Sequence, residues 1–164
     1  MYNLGTIQKF WQEDFYKNLN FIKQPPADQE SKQWREQGYT HTQTTGTMYG
    51  GKNIMPEWVK KIGDYFDLKN QTYTIYKMST LEIMPTHVDH FNTYTKIFKI
   101  NKNKIKRAVV FLENWKPGHY FEVANKGFIN WQAGDYCIWD QHVSHAASNI
   151  GIEPRYTLQI TGHV

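Results

Sequence analysis

The chain has 164 residues, of which 40% are hydrophobic and 16% aromatic, and its formal net charge is +4. This composition excludes an intrinsically disordered chain, which would be poor in apolar residues and rich in charge. The longest uninterrupted apolar run covers only residues 108–112, which is too short to span a bilayer. The single cysteine, Cys137, excludes an internal disulfide. We therefore expect one soluble domain over residues 1–164, located in the cytoplasm and without membrane contact.

The first 70 residues predict a helical layer followed by a long loop. Apolar residues between 7 and 22 recur every three to four positions, which is typical of an amphipathic helix. A second helix is predicted over residues 28–37, and a third begins after Pro56. Residues 38–53 contain four glycines and no apolar period, and a loop of this length is often a lid or a binding loop.

From residue 71 onward, short runs rich in aromatic and β-branched residues predict β-strands. The runs cover residues 71–79, 81–86, 94–100, 105–113, 119–123, 128–130, 134–139, 143–148 and 155–161. Strands this short and this closely spaced favour an antiparallel sandwich or small barrel over βαβ units. The predicted fold is mainly β, with a core over residues 71–164 and N-terminal helices packed against it.

The segment between Asp89 and Glu113 is basic, because it contains six lysines and arginines and no acidic residue. Such a stretch can attract a polyanion. Lysines are also common at the solvated edges of sheets. We favour a solvated hairpin for residues 96–107 over a polyanion site.

Two histidine clusters could carry chemistry, one formed by His87, Asp89 and His90 and the other by His142 and His145. In an extended segment, side chains two residues apart point the same way, so His87 and Asp89 can approach one metal ion. A histidine from a distant strand would complete the two-histidine, one-carboxylate set of non-haem Fe(II) oxygenases. We favour His145 because it lies within a predicted strand, and His142 stays the alternative.

The last predicted strand places Arg155 and Thr157 on one face. A buried guanidinium requires an anion, because an uncompensated buried charge is strongly destabilising. An internal carboxylate such as Glu122 or Asp135 could supply that anion. A dicarboxylate cosubstrate could supply it instead through a bidentate pair, with the Thr157 hydroxyl donating to the same carboxylate.

Residues 81–162, about half of the chain, resemble the 2-oxoglutarate/Fe(II)-dependent oxygenases. The residues that carry the resemblance are His87, Asp89, His145, Arg155 and Thr157. The ten-residue interval from the second histidine to the arginine is similar to that of aspartyl/asparaginyl hydroxylase-type members. The run over residues 107–118 is similar to the middle strands of small prolyl-hydroxylase-like members from phage and bacteria.

The resemblance implies a double-stranded β-helix, or jelly roll, that binds Fe(II) through His87, Asp89 and His145. It implies that 2-oxoglutarate is bound by Arg155 and Thr157, and that O2 is the second cosubstrate. Decarboxylation of 2-oxoglutarate to succinate would then be coupled to oxidation of a substrate C–H bond. We expect the protein to work in the cytoplasm of a bacterium or of a phage-infected cell.

Family members often place a tyrosine of the first strand against the cosubstrate, and Tyr73 and Tyr76 are the candidates here. The sequence does not choose between them, and it identifies neither the substrate nor the oligomeric state. Two other functions stay open. A cupin-like metal isomerase or sensor would use the histidines without the arginine, and a non-enzymatic jelly roll would bind nucleic acid or sugar without any metal.

Overall fold

The computed structural model describes residues 1–23, 29–40, 42–51 and 53–164, without the side chains of residues 29 and 30. In chain order the elements are β1 (Tyr2–Thr6), α1 (Asp14–Lys17), α2 (Gln29–Glu36), β2 (Thr47–Gly50), α3 (Glu57–Gly63), β3 (Lys69–Met78), β4 (Glu82–His87), α4 (Asn92–Phe98), a 3₁₀ turn (Lys102–Lys104), β5 (Ile105–Phe111), β6 (His119–Val123), β7 (Lys126–Phe128), β8 (Asp135–Asp140), β9 (His145–Asn149) and β10 (Arg155–His163). None of the helices in these ranges has the length and apolar character needed to cross a membrane.

The strands form two antiparallel sheets that pack face to face as a jelly roll. One sheet has the order β1-β8-β5-β10-β3-β2, and the other has the order β4-β9-β6-β7. Apolar side chains from both sheets fill the space between them, including Phe111 and Trp139 from the first sheet and Phe121 and Val123 from the second. The predicted jelly-roll core is therefore confirmed.

The N-terminal segment covers the outer face of the six-stranded sheet. Alternate residues of β10, among them Leu158 and Ile160, point outward from the sheet and pack in one cluster with Trp58 and Ile62 of α3. Burial of an apolar side chain of this size contributes roughly 1.5–3 kcal/mol. The opposite residues of β10 consequently face the interior, where the polar side chains of the strand require partners.

Most of the predicted elements are confirmed. The predicted helix over residues 28–37 corresponds to α2, and α3 begins directly after Pro56. Eight of the nine predicted strands are present, with β7 two residues nearer the N-terminus than expected. Short β-branched and aromatic runs predict strands well here because nearly every strand buries at least one face.

The predicted amphipathic helix over residues 7–22 is wrong, since this segment contains only the short helix α1. Ile7 and Trp11 are buried, but tertiary contacts hold them. The Ile7 N–H donates to the Gly134 carbonyl at 2.9 Å, and Trp11 Nε1–H donates to the Leu112 carbonyl at 3.0 Å. Before this segment, β1 pairs with β8, so the N-terminal layer is strand as well as helix.

The strand predicted over residues 94–100 is also wrong, because this segment lies in α4. The rings of Tyr94 and Phe98 lie one helical turn apart with centroids at 4.6 Å, and Tyr94 packs in one buried cluster with Ile105. Contacts at i, i+4 spacing stabilise a helix. Residues 96–107 are therefore not a hairpin but the end of α4, the 3₁₀ turn and the start of β5.

The loop predicted over residues 38–53 contains the short strand β2, which pairs with β3 at the edge of the larger sheet. Thr44 adds an isolated bridge to β4. The role of the loop over residues 38–53 as a lid or binding loop stays a prediction. His41, Lys52 and residues 24–28, where the first predicted helix would end and the second begin, lie outside the described residues.

Gly134 connects the N-terminal segment to the jelly roll, and its replacement tests that connection. Its φ is +99°, and a Cβ atom would lie 2.0 Å from the Ile7 carbonyl oxygen. We expect Gly134→Ala to lower the free energy of unfolding by about 3 kcal/mol or more, because the backbone must move. Gly38 is the matched control, since its φ is +95° with no atom within 4 Å.

For Gly38→Ala we expect a loss of about 1–2 kcal/mol, the cost of the left-handed conformation alone. Urea denaturation of both variants measures the difference. Equal losses of unfolding free energy in the two variants would contradict the role assigned to the close approach of Gly134 and Ile7.

Candidate metal centre

Three potential metal ligands meet at one end of the smaller sheet. His87 is the last residue of β4 and His145 is the first of β9, and the two residues are directly paired across these antiparallel strands. Asp89 follows His87 by two residues. One ligand atom from each of the three side chains lies within 4.8 Å of the others. Strand pairing therefore brings together residues that are far apart in the sequence.

The distances between these groups suit a shared cation better than direct hydrogen bonds. His87 Nε2 lies 3.8 Å from Asp89 Oδ1, and His145 Nε2 lies 3.6 Å from Asp89 Oδ2. Both distances exceed those of a hydrogen bond. Two ligand atoms that are each about 2.1 Å from one ion would be roughly 3–4 Å apart.

The backbone sets the orientation of both imidazole rings. His87 Nδ1 lies 2.8 Å from the Pro85 carbonyl oxygen, and His145 Nδ1 lies 3.2 Å from the Val143 carbonyl oxygen. A carbonyl only accepts hydrogen bonds, so each neutral ring carries its proton on Nδ1. The unprotonated Nε2 of each ring then lies within 3.8 Å of an Asp89 oxygen, as in metal-binding histidines whose other nitrogen is held by a backbone carbonyl.

Asp89 is ionised in this environment. Burial alone would raise the pKa of its carboxyl group, but nearby positive charge, above all that of the Arg107 guanidinium, outweighs burial and lowers it. Arg107 Nη2 lies 3.4 Å from Asp89 Oδ2, and that oxygen is buried without a hydrogen-bond partner among the described residues. A buried anionic oxygen of this kind is a suitable ligand for a cation.

His145 is neutral at physiological pH. Burial is the largest influence and lowers the pKa of its imidazole to about 4. The ring lies between His87, at a centroid distance of 4.2 Å, and Trp139, at 4.9 Å. Trp34 of α2 packs edge-on against the His87 ring, at a centroid distance of 5.2 Å. The N-terminal layer therefore helps to hold the His87 side chain in place.

The residues present fit a divalent metal ion. Two neutral imidazoles and one carboxylate form a donor set that binds a metal and leaves positions open for other ligands. An orphaned carboxylate oxygen and two converging Nε2 lone pairs would repel each other without a cation between them. His142 does not contribute to this set, because it lies outside the cluster, and its side chain contacts Gln141 instead.

A cavity of about 690 Å³ opens beside this cluster. Its sheet wall is polar and is formed by Thr72, Thr74, Tyr76, Gln159 and Thr161. Apolar and aromatic side chains form much of the remaining lining, among them Trp34, Met84, Phe91 and Phe98. This volume is in the range of small-molecule sites, which is about 300–1,000 Å³.

Arg155 and Thr157 lie on the same interior face of β10 as Gln159, but they are buried and do not line this cavity. Arg155 is only 7% exposed, and its Nη1 donates to the Tyr120 carbonyl at 2.9 Å. Its Nε has no hydrogen-bond partner among the described residues, and burial lowers the pKa of its guanidinium to about 10. The group therefore stays charged at neutral pH.

The internal carboxylates suggested as partners of Arg155 have other partners. Glu122 accepts a hydrogen bond from the Tyr120 hydroxyl at 2.7 Å, and Asp135 accepts one from the Thr6 hydroxyl at 2.7 Å. No ion pair of Arg155 with a carboxylate is found in the described part of the chain. Within these residues the guanidinium is thus a buried cation without a carboxylate partner.

The structure separates the two tyrosines of β3. Both tyrosines border the cavity, but only Tyr76 is directly paired with Thr157 of β10. The ring of Tyr73 packs on the opposite, outer face of the sheet, where its hydroxyl donates to Gln71 Oε1 at 2.8 Å. Of the two, Tyr76 is therefore the better placed to contact a bound molecule.

Arg107 and Trp34 belong to the cavity but were not recognised from the sequence. In β5, Arg107 alternates with Val109 and Phe111, both of which face the jelly-roll interior. An arginine on the inward face of a buried strand could have marked it, because such a charge needs a partner. For Trp34, no sequence signal connects α2 with the histidines.

His119, which lies near Arg155, predicts a stability loss in acid. It is 3% exposed, and burial is the main reason why its pKa lies below the usual 6.5. The unfolded chain therefore takes up a proton more readily, so stability falls as pH decreases below about 6.5. We expect His119→Gln to flatten this fall by up to about 1.4 kcal/mol per pH unit.

Urea denaturation of wild type and His119→Gln between pH 7.5 and 5 measures this effect. Parallel curves for the two proteins would contradict the assignment to His119.

Comparison with known proteins supports the fold. No known protein family matches the chain, and no curated protein does. Among solved structures, a prolyl-4-hydroxylase from Pseudomonas putida is similar with a TM-score of 0.52 and 14% identity, over 71% of each chain. At this identity the likeness concerns the fold alone.

Two other solved structures are more distant. A cupin domain from Schizosaccharomyces pombe is similar with a TM-score of 0.45 and 9% identity, over 72% of this chain and 64% of that one. A protein from Acidithiobacillus ferrooxidans has a TM-score of 0.41 and 18% identity; the match covers 62% of this chain but only 56% of that protein's length. Together, fold and site define a jelly-roll protein with a candidate two-histidine, one-aspartate metal centre.

Proposed function

We propose that this protein is a 2-oxoglutarate- and Fe(II)-dependent dioxygenase that hydroxylates a substrate still to be identified. The observation that carries the proposal is the convergence of His87, Asp89 and His145 beside a small-molecule cavity. This donor set is typical of non-haem Fe(II) oxygenases, which need open metal positions for cosubstrate and O2.

Arg155 supports 2-oxoglutarate as the cosubstrate. Its guanidinium reaches the Tyr120 carbonyl, and Tyr120 lies three residues along β6 from Val123, which pairs with His145. Three residues of a strand cover about 10 Å. A dicarboxylate held at the metal by one end could therefore extend along the interior toward Arg155, whose charge lacks an anion.

In this proposal each residue has a defined task. His87, Asp89 and His145 would hold Fe(II), which when bound supplies the redox chemistry that couples 2-oxoglutarate decarboxylation by O2 to C–H oxidation. Arg155 and Thr157 would bind the far carboxylate of 2-oxoglutarate through charge-assisted and neutral hydrogen bonds. Tyr76 would border the cosubstrate, and Trp34 and Phe91 would keep water out of the cavity.

Two other functions lead to different results in one assay. A cupin-like metal isomerase or sensor would bind the metal but not 2-oxoglutarate, because it has no use for Arg155 and Thr157. A jelly roll that binds nucleic acid or sugar would need neither ligand. Lys106 and Arg107 pair with Asp140 and Asp89. Fewer charges of the basic segment therefore remain for a polyanion.

Succinate formation tests the proposal. Protein loaded with Fe(II) and 2-oxoglutarate without oxygen should release succinate slowly when exposed to air, even without substrate. Omission of Fe(II), and separately the variant His87→Ala, are the controls that should remove the signal. Absence of succinate above these controls would contradict the proposal. A subsequent screen for a mass increase of about 16 in candidate molecules would identify the hydroxylated product.

A further inference from the structure

The cavity beside the metal centre contains a second cation that the proposed cosubstrate does not need. Arg107 is the only lysine or arginine, and Asp89 the only carboxylate, among the described residues that line this cavity. One nitrogen of Arg107 is 3.4 Å from Asp89, and its buried Nε has no hydrogen-bond partner in the described structure. The guanidinium, which carries five N–H donors, is thus only partly satisfied by Asp89.

The surroundings of Arg107 fix its orientation toward the cavity. Its guanidinium carbon lies 5.0 Å from the centre of the Phe91 ring, so one face of the group is covered by an aromatic side chain. Across the sheet, Arg107 is directly paired with Thr161, which is paired with Thr72. Directly opposite side chains lie about 4.5–5.5 Å apart at Cβ, so the guanidinium and the two hydroxyl side chains form one row.

The charges of the loaded site leave Arg107 unbalanced, and this step rests on the proposed function. The divalent metal and Arg155 together carry three positive charges. Asp89 and the two carboxylates of 2-oxoglutarate carry three negative ones. The positive charge of Arg107 remains, on a side chain that is only 13% exposed, where an anion would be favoured.

We propose that Arg107 binds a carboxylate of the substrate, and that the substrate is a small molecule with a carboxylate at one end and an apolar body. The carboxylate would lie against the row formed by Arg107, Thr161 and Thr72. The body would lie against the apolar part of the lining, which includes Trp34 and Phe91. Arginine is suited to this task because its planar donors match both oxygens of a carboxylate.

Matched pairs of ligands test this assignment by equilibrium binding. The probes are three carboxylates that carry a benzyl, a cyclohexyl or a butyl group, and the primary amide of each. Each probe is titrated calorimetrically, without oxygen, into protein saturated with Fe(II) and 2-oxoglutarate. We expect at least one carboxylate to bind wild type at least about tenfold more tightly than its amide, the usual effect of a charge-assisted hydrogen bond.

Four variants assign this preference to particular groups. In Arg107→Gln the preference should fall below about threefold, and Arg107→Lys should keep an intermediate preference, because the charge remains but the paired donors are lost. Thr161→Val should reduce the preference by about two- to tenfold. Lys106→Gln removes the same charge from the neighbouring residue, whose side chain pairs with Asp140, and should keep the wild-type preference.

The outcomes separate this inference from the proposed function. If wild type does not bind 2-oxoglutarate in the presence of Fe(II), the proposed function is contradicted. If it does, but no carboxylate is preferred, or Arg107→Gln keeps the preference, only the assignment of Arg107 is overturned. A rise of the 2-oxoglutarate dissociation constant in Arg107→Gln but not in Arg155→Gln would also overturn it, because the cosubstrate would then occupy Arg107.

Discussion

His145→Ala is expected to abolish detectable Fe(II) binding, whereas His142→Ala is expected to keep it. Loss of a residue that only supports a metal ligand costs about 10–100-fold in affinity, so loss of a ligand should cost more than about 100-fold. The two histidines are three residues apart, but only His145 reaches Asp89, with its Nε2 3.6 Å from the carboxylate. Titration with Fe(II) without oxygen measures both affinities.

The pair of variants is a matched test because both remove one imidazole from the same short segment. His142 has a φ of +71° and lies just before β9, where it is exposed and its side chain contacts Gln141. Circular dichroism of the variants shows whether the fold is retained. Equal loss of Fe(II) affinity in the two variants, or full affinity in His145→Ala, would contradict the assigned ligand set.

Arg155→Gln is expected to raise the apparent 2-oxoglutarate dissociation constant by about 100-fold or more, which corresponds to about 2.7 kcal/mol. The reason is that a charge-assisted contact in a desolvated site is worth roughly 2–5 kcal/mol when its partner is left unpaired. The affinity for Fe(II) should change little, because Arg155 is not part of the cluster formed by His87, Asp89 and His145. Separate titrations of metal and cosubstrate distinguish the two effects.

Thr157→Val should change the same constant more mildly, since a neutral hydrogen bond contributes only about 0.5–1.5 kcal/mol. Arg35→Gln is the control, because it removes the same charge from an exposed position in α2. If Arg155→Gln bound 2-oxoglutarate as tightly as Arg35→Gln does, the cupin-like isomerase would become the better interpretation.

The β part of this fold could be predicted from local sequence because its strands alternate or bury both faces. In β10, the outward residues Leu158 and Ile160 and the inward Thr157 follow the period of two that the sequence shows. The segment over residues 7–22 has a helical apolar period by coincidence. Its buried residues are held by hydrogen bonds to Gly134 and Leu112, which no local pattern encodes.

The candidate site could likewise be predicted from the sequence only in part. His87 and Asp89 are two residues apart, so their proximity follows from extended geometry. The contact of Arg107 with Asp89 joins β5 to the end of β4, and the contact of Trp34 with His87 joins α2 to β4. Both contacts depend on the packing of elements that are distant in the sequence, so local sequence patterns do not predict them.

Binding of 2-oxoglutarate with and without Fe(II), measured by calorimetry in the absence of oxygen, tests the central claim most directly. The structure brings the triad His87, Asp89 and His145 together, and it buries Arg155 without a carboxylate partner among the described residues. A ligand that uses both should bind strongly only when the metal is present. The account predicts at least about tenfold tighter binding of 2-oxoglutarate to the Fe(II)-loaded protein than to the metal-free protein. Equal affinity in the two forms, or no binding in either, would contradict it.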